Sequence, residues 1–286
     1  MKRVAVGDIE MAYEEGGAGS RPLVLVHGFT GASRDFSWRF DELAGLGRFV
    51  APDLRGHGES THTGDAASYT LEAIAADLLA FLEALGIESC DLLGHSMGGM
   101  AVLRAALADP RRIASLILMN TSARCPDGLP RALIELAGRV AVEAGTQRLV
   151  DVMRARAAAP DAQRSDADRR LEARWGEPYW TAWRYPNFRA LDRVAYGAFG
   201  AAMLDQTSLL ARLGELHCPT TVLVGAGDTS FLEPAAELRE GITGARLVEI
   251  PDAAHQPQLE NPDAWLAAIR DHLGQVRAEA SSFPRS

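Results

Sequence analysis

The sequence predicts an α/β protein: a mostly parallel eight-stranded sheet with helices on both faces and an inserted helical cap. Three observations lead there. Short runs of Val, Leu and Ile recur with amphipathic helical text between them, the first two runs lie close enough to form a hairpin, and the alternation stops near residue 121 and resumes near residue 219. The length agrees, because a chain of 286 residues buries roughly 75% of its unfolded surface, enough for one large core carrying a lobe.

Taken in order, Arg3 to Val6 and Ile9 to Glu14, with Gly7 and Asp8 between them, read as an antiparallel hairpin at one sheet edge. Leu23 to Val26 and Phe49 to Ala51 read as buried strands three and four. A helix follows Thr70 as N-cap, with Glu72 in its first turn. It places Leu71, Ile74, Leu78, Phe81, Leu82 and Leu85 on one face and stops at Gly86. Cys90 to Leu93 is the fifth strand, Met97 to Leu107 a helix closed by Asp109-Pro110, and Ala114 to Met119 the sixth strand.

From Thr121 to Asp205 the text is rich in Arg and Ala, helical in pattern, and without a strand signal. Thr220 to Val224 and Leu247 to Ile250 restore the rhythm as strands seven and eight, and a last helix starts near Pro262. Residues 1–120 and 206–277 are therefore expected to form the core, 121–205 a helical cap or lid, and 278–286 a polar C-terminal tail.

Composition narrows the function. Acidic residues outnumber basic ones 38 to 29, a net charge of −9, which disfavours nucleic acid and anionic membrane surfaces as partners and leaves a small-molecule substrate. The sequence is silent on oligomeric state. Lys2 is the only lysine, so lysine-nucleophile chemistry has no plausible residue. Cys90, Cys125 and Cys218 are odd in number and widely spaced, suggesting neither disulfides nor a metal clip, and fitting a reducing, cytoplasmic setting. Neither a phosphate loop, a dinucleotide fingerprint nor an HExxH metal motif occurs, so no cofactor and no metal is expected.

The chemistry concentrates at Gly94-His95-Ser96-Met97-Gly98-Gly99. The motif follows a predicted strand and opens a predicted helix, the strand–turn–helix that a nucleophile elbow requires. A serine hydroxyl is a poor nucleophile at neutral pH and needs a base and a group to orient that base. His255 lies in the loop after strand eight and Asp228 in the loop after strand seven, both at the carboxyl end of the sheet with Ser96. His27 and His57 read as packing or hydrogen-bonding residues of their loops, and His95 as pointing away from the reaction centre.

On these residues the chain resembles the α/β-hydrolase superfamily, whose serine, acid, histidine order is Ser96, Asp228, His255 here. Further matching text is His27-Gly28-Phe29-Thr30-Gly31 and Asp53-Leu54-Arg55-Gly56-His57-Gly58-Glu59-Ser60. The resemblance implies an oxyanion hole made by the backbone amides of Phe29 and Met97. It also implies a serine-nucleophile, cap-bearing, esterase- or lactonase-like enzyme that forms an acyl-enzyme on Ser96. Haloalkane dehalogenases and epoxide hydrolases carry aspartate where Ser96 stands. Meta-cleavage C–C hydrolases share Ser96-Met97-Gly98-Gly99 but usually place tryptophan after the histidine, where Gln256 stands; that reaction and a hydrolase-fold ligand-binding protein are the alternatives. Aromatic residues crowd the stretch from Trp175 to Phe199, and Trp175, Trp180, Trp183 and Tyr185 are expected to wall an apolar substrate pocket.

Overall fold

A strand that is apolar at every position has to be covered on both faces, and this places the middle of the sheet. The computed structural model describes residues 1–157, 166–176 and 185–282. Its eight-stranded sheet has the order β1-β2-β4-β3-β5-β6-β7-β8. The strands are β1 Lys2–Val6, β2 Ile9–Gly16, β3 Leu23–Val26, β4 Phe49–Pro52, β5 Cys90–His95, β6 Ile113–Met119, β7 Thr220–Gly225 and β8 Arg246–Ile250. β1 and β2 form the expected antiparallel hairpin and β2 pairs antiparallel with β4; every other pairing is parallel. Every residue of β3, β4, β5 and β7 is buried.

β8 departs from expectation. It closes the sheet with a partner on one side only, so Leu247 is 36% exposed and Ile250 is the strand's one buried residue.

Helices cover both faces. On one face α2 Leu71–Ala84 and α3 Met97–Ala108 pack through Ile74, Leu78, Phe81, Met100 and Leu103 against Val24, Leu92 and Leu116. Thr70 caps α2 by accepting from the Ala73 amide at 3.0 Å, satisfying one of the amides that a helix start leaves free. On the other face α1 Phe40–Leu46 packs beside the C-terminal helix, Leu43 with Trp265, Ile269 and Leu273, over Leu25, Leu93 and Ile117.

Between β6 and β7 lie α4 Arg131–Ala144, α5 Thr146–Ala157, α6 Asp166–Trp175, α7 Tyr185–Arg189 and α8 Ala195–Leu204; no strand occurs among the described residues of 121–205. Ala137, Ala141, Leu149, Val150, Tyr185 and Phe188 form a separate small core there. α8 instead enters the main core, its Phe199 ring packing at a tilt against His57 and Tyr69 with centroids 5.4 and 5.1 Å away. After β7 come α9 Leu232–Gly241, the single turn α10 Pro257–Glu260, and α11 Pro262–Ser282. α11 thus continues into the stretch expected to be a polar tail from residue 278. No helix among the described residues is long and apolar enough to cross a membrane.

Candidate active site

The turn from β5 into α3 is too tight for an ordinary backbone. Ser96 sits at φ 52°, ψ −120°, in the positive-φ region that side chains rarely adopt. Its neighbours make that possible. A Cβ on Gly98 would stand 2.3 Å from the His27 carbonyl oxygen, and one on Gly28 would stand 3.1 Å from Ser96 Cβ. Glycine at both positions lets α3 and the loop after β3 close around the serine. The Ser96 amide donates to the Met119 carbonyl at 2.9 Å and the Thr121 hydroxyl donates to the Ser96 carbonyl at 2.7 Å, fixing the turn against the end of β6.

The structure brings Ser96, His255 and Asp228 together. Ser96 Oγ lies 3.0 Å from His255 Nε2, and His255 Nδ1 lies 2.7 Å from Asp228 Oδ2. A carboxylate only accepts hydrogen bonds, so Nδ1 carries the imidazole proton and the Nε2 lone pair faces the serine hydroxyl. The Phe231 ring packs on the imidazole at 4.8 Å between centroids.

Asn120, at the end of β6, donates through Nδ2 to Asp228 Oδ2 at 2.6 Å and to the Ala254 carbonyl at 3.0 Å. Glu260 of α10 holds the loop carrying His255 from both sides, its two carboxylate oxygens accepting from the Ala254 and Gln256 amides at 2.9 Å each. Arg170 of α6 reaches the same carboxylate at 3.2 Å. Sequence patterns do not point to Asn120 or Glu260, because their partners come from loops distant in the chain.

Phe29 lies in a turn closed by the Gly31 amide donating to the Gly28 carbonyl at 3.0 Å, with Thr30 at φ 60°. Met97 is the first residue of α3, where an amide has no acceptor within the helix and the dipole favours an anion. His95 does not point away. The sharp turn at Ser96 breaks the alternation of the strand, and His95 Nε2 donates to the His255 carbonyl at 2.7 Å beside the cavity. Burial lowers its pKa to about 3, with His255 as the second cause, so its ring is neutral.

His27 and His57 belong to the frame of their loops. His27 Nδ1 donates to the Gly28 carbonyl at 2.8 Å and Nε2 accepts from the Leu54 amide at 3.0 Å, while His57 Nδ1 donates to the Arg55 carbonyl at 3.0 Å.

A cavity of about 280 Å³ opens over Ser96 and His255. Phe29, Met153, Phe188, Tyr196, Met203 and Phe231 give it apolar walls, and Asp35, Asn187, Gln256 and Gln258 border it with polar groups. Of the four aromatic residues expected on the wall, Trp180 and Trp183 lie outside the described residues, and Trp175 ends α6 without a described side chain. Tyr185 is buried in the small core of α4, α5 and α7, with Arg154 over its ring at 5.6 Å, and does not reach the cavity. Phe188, one turn further along α7, takes that place, and Tyr196 packs on Phe29 at 4.9 Å between centroids.

With this geometry in view, comparison with known proteins is decisive: the family described as alpha/beta hydrolase fold matches residues 21–262. The chain belongs to the α/β-hydrolase family. Among solved structures, this α/β hydrolase is similar to a thermophilic esterase from Thermogutta terrifontis at 28% identity and TM-score 0.79, covering 96% of this chain and 98% of that one. It is also similar to the enol-lactonase of Burkholderia xenovorans LB400 at 26% identity and TM-score 0.78, covering 96% and 100%. A curated relative, the 2-hydroxymuconate semialdehyde hydrolase of Pseudomonas sp. strain CF600, is 27% identical over 98% of this hydrolase and 96% of the relative.

Proposed function

We propose that this α/β hydrolase is a serine hydrolase of small carboxylic esters or lactones with an apolar part, acting through an acyl-enzyme on Ser96. The observation that carries this reading is the unbroken chain from Ser96 Oγ through His255 to Asp228, at 3.0 and 2.7 Å, opening onto a mostly apolar cavity. Ser96 Oγ attacks the carbonyl carbon while His255 Nε2 takes its proton. The carbonyl oxygen becomes an oxyanion received by the Phe29 and Met97 amides, where a donor contributes roughly 3 kcal/mol to the transition state. Collapse breaks the ester C–O bond, and His255 returns the proton to the departing alcohol. A water molecule deprotonated by the same nitrogen then attacks the acyl carbon, releasing the acid and restoring Ser96. Asp228 keeps the imidazole in the tautomer that the serine needs and stabilises its charged form.

The helices of residues 121–205 act as the cap in this reading, since Met153, Phe188, Tyr196 and Met203 border the cavity. The similarity to an esterase and an enol-lactonase supports an ester or lactone carbonyl. Free Cys90, Cys125 and Cys218 support a reducing, cytoplasmic setting, and the net charge of −9 supports a small-molecule partner in place of nucleic acid or membrane. Hydrolysis of a C–C bond is a second reading, favoured by the likeness to 2-hydroxymuconate semialdehyde hydrolase and by Ser96-Met97-Gly98-Gly99.

The test is labelling of Ser96 by a fluorophosphonate together with turnover of short p-nitrophenyl esters and a lactone panel. Both are expected, and Ser96→Ala should lower turnover about 10⁶-fold. Turnover of a vinylogous diketone without any ester or lactone hydrolysis would transfer the assignment to C–C cleavage. Undiminished turnover in Ser96→Ala would remove the mechanism.

A further inference from the structure

The cavity over Ser96 has mostly apolar walls and a polar border of Asp35, Asn187, Gln256 and Gln258. Asn187 of α7 is 5% exposed and Gln258 of α10 is 1% exposed, yet Asn187 Oδ1 and Gln258 Oε1 are buried without a hydrogen-bond partner. Native proteins rarely leave such atoms unmatched, and both side chains belong to the lining of the cavity, where a ligand can supply the missing partner. The orientation of Asn187 is set by its neighbour. Its Nδ2 donates to Asp35 Oδ1 at 2.7 Å, and because a carboxylate only accepts, the amide cannot turn its oxygen that way. Oδ1 therefore remains an acceptor, held in place by an ion on the loop that follows β3.

We propose that Asn187 is a specificity residue: the part of the substrate that fills this cavity carries a hydrogen-bond donor, a carboxamide, amide N–H or hydroxyl, which Asn187 Oδ1 receives, with Gln258 Oε1 as a second acceptor. The substrate class is thus a donor-bearing ester or lactone and not a purely hydrocarbon one. A terminal carboxylate is excluded from this end, since it brings no donor and meets Asp35 beside two carbonyl oxygens. The proposal rests on Ser96 being the nucleophile that reads the substrate, and it adds what the remainder of that substrate must contain. Sites built to hydrogen-bond a substrate group discriminate strongly against the analogue lacking it, because their buried acceptor is then stranded.

The experiment compares p-nitrophenyl esters of ω-carboxamide acids with the matching ω-methyl-ketone and ω-carboxylate acids over a series of chain lengths. The carboxamide and methyl ketone have nearly the same shape and differ in the donor. Wild-type enzyme should prefer the carboxamide by about ten- to a hundredfold in kcat/KM at one or more lengths, with the carboxylate poorest. Asn187→Leu should bring the carboxamide to methyl-ketone ratio close to one, and Gln258→Leu should lower it in part; each ratio is taken on a single protein preparation, so it is independent of yield. Equal kcat/KM for the pair at every length, or a preference that survives both substitutions, overturns the proposal while the esterase reading stands. If no ester turns over and Ser96 is not labelled, the hydrolytic reading fails by itself. Calorimetric binding of the free ω-carboxamide and ω-methyl-ketone acids to the wild-type protein then decides the subsite: selective binding of the carboxamide sustains it, and equal or absent binding ends it.

Discussion

Asn120 shows how much one side chain contributes to this site. It sits at φ 45°, a left-handed conformation that asparagine tolerates better than most residues, and its single amide nitrogen ties the end of β6 to Asp228 and to the loop of His255. A hydrogen bond to a charged acceptor is worth about 1.5–3 kcal/mol. Asn120→Ala should therefore lower kcat/KM for ester hydrolysis by roughly ten- to a hundredfold, since Asp228 loses a donor that helps hold it against His255. Steady-state kinetics on protein with an unchanged circular dichroism spectrum checks this, and wild-type kcat/KM would show that Asp228 keeps its place unaided. The sequence displays Ser96, Asp228 and His255 because each follows a recognisable strand. It does not single out Asn120, because the value of that amide depends on three loops meeting in space.

The same contrast holds for whole elements. The buried parallel strands β3 to β7 announce themselves as apolar runs and the β1–β2 hairpin through the Gly7-Asp8 turn; the exposure of β8 was not legible, because Leu247, Val248 and Ile250 read like part of a central strand. The elbow was legible because glycine is needed where backbones touch. The helices between β6 and β7 were legible as helices but not as a surface. Tyr185 and Phe188 are three residues apart on α7, and which of them faces the cavity depends on how that helix packs against α4 and α5.

One consequence of that packing concerns α6 and α10. Arg170 meets the Glu260 carboxylate, which brackets the backbone on either side of His255. Glu260→Ala should leave both amides without their acceptor, speed hydrogen exchange at Ala254 and Gln256, and lower kcat about tenfold by loosening the imidazole. Arg170→Ala, which removes the partner of the carboxylate and leaves the two amide bonds, should do less. Hydrogen exchange with mass spectrometry separates the two effects. Unchanged protection of residues 254–256 in Glu260→Ala would show that the loop is held elsewhere.

At the scale of the whole molecule, buried histidines set the acid limit of stability. Burial is the main cause of lowered pKa values at four of them: to about 4 at His27 and His272, and to about 3 at His57 and His95. At three of them the second cause is the electrostatic cost of bringing a further positive charge beside a neighbouring basic group, His27 for His57, His255 for His95 and Arg246 for His272. Each ring is fixed as a neutral partner; His272, for example, bridges the hydroxyls of Thr221 and Ser115 at 2.8 and 2.9 Å across β7 and β6. An unfolded histidine binds its proton near pH 6.5, above the folded values, so as pH falls the unfolded chain takes up protons first. Stability is then complete above about pH 6.5 and is lost as pH falls toward about 4. At pH 5.5 each ring costs about 1.4 kcal/mol, and four together about 5.6 kcal/mol, comparable with the whole stability of a small domain at about 5–15 kcal/mol. The urea midpoint should accordingly drop steeply between about pH 6.5 and 5, where most carboxylates remain ionised. His272→Gln should make the fall shallower, because one of the four titrations is gone, even though the substitution lowers stability at neutral pH. A midpoint that stays level across that interval would mean these rings accept protons without unfolding, and their placement as neutral hydrogen-bonding groups would be wrong.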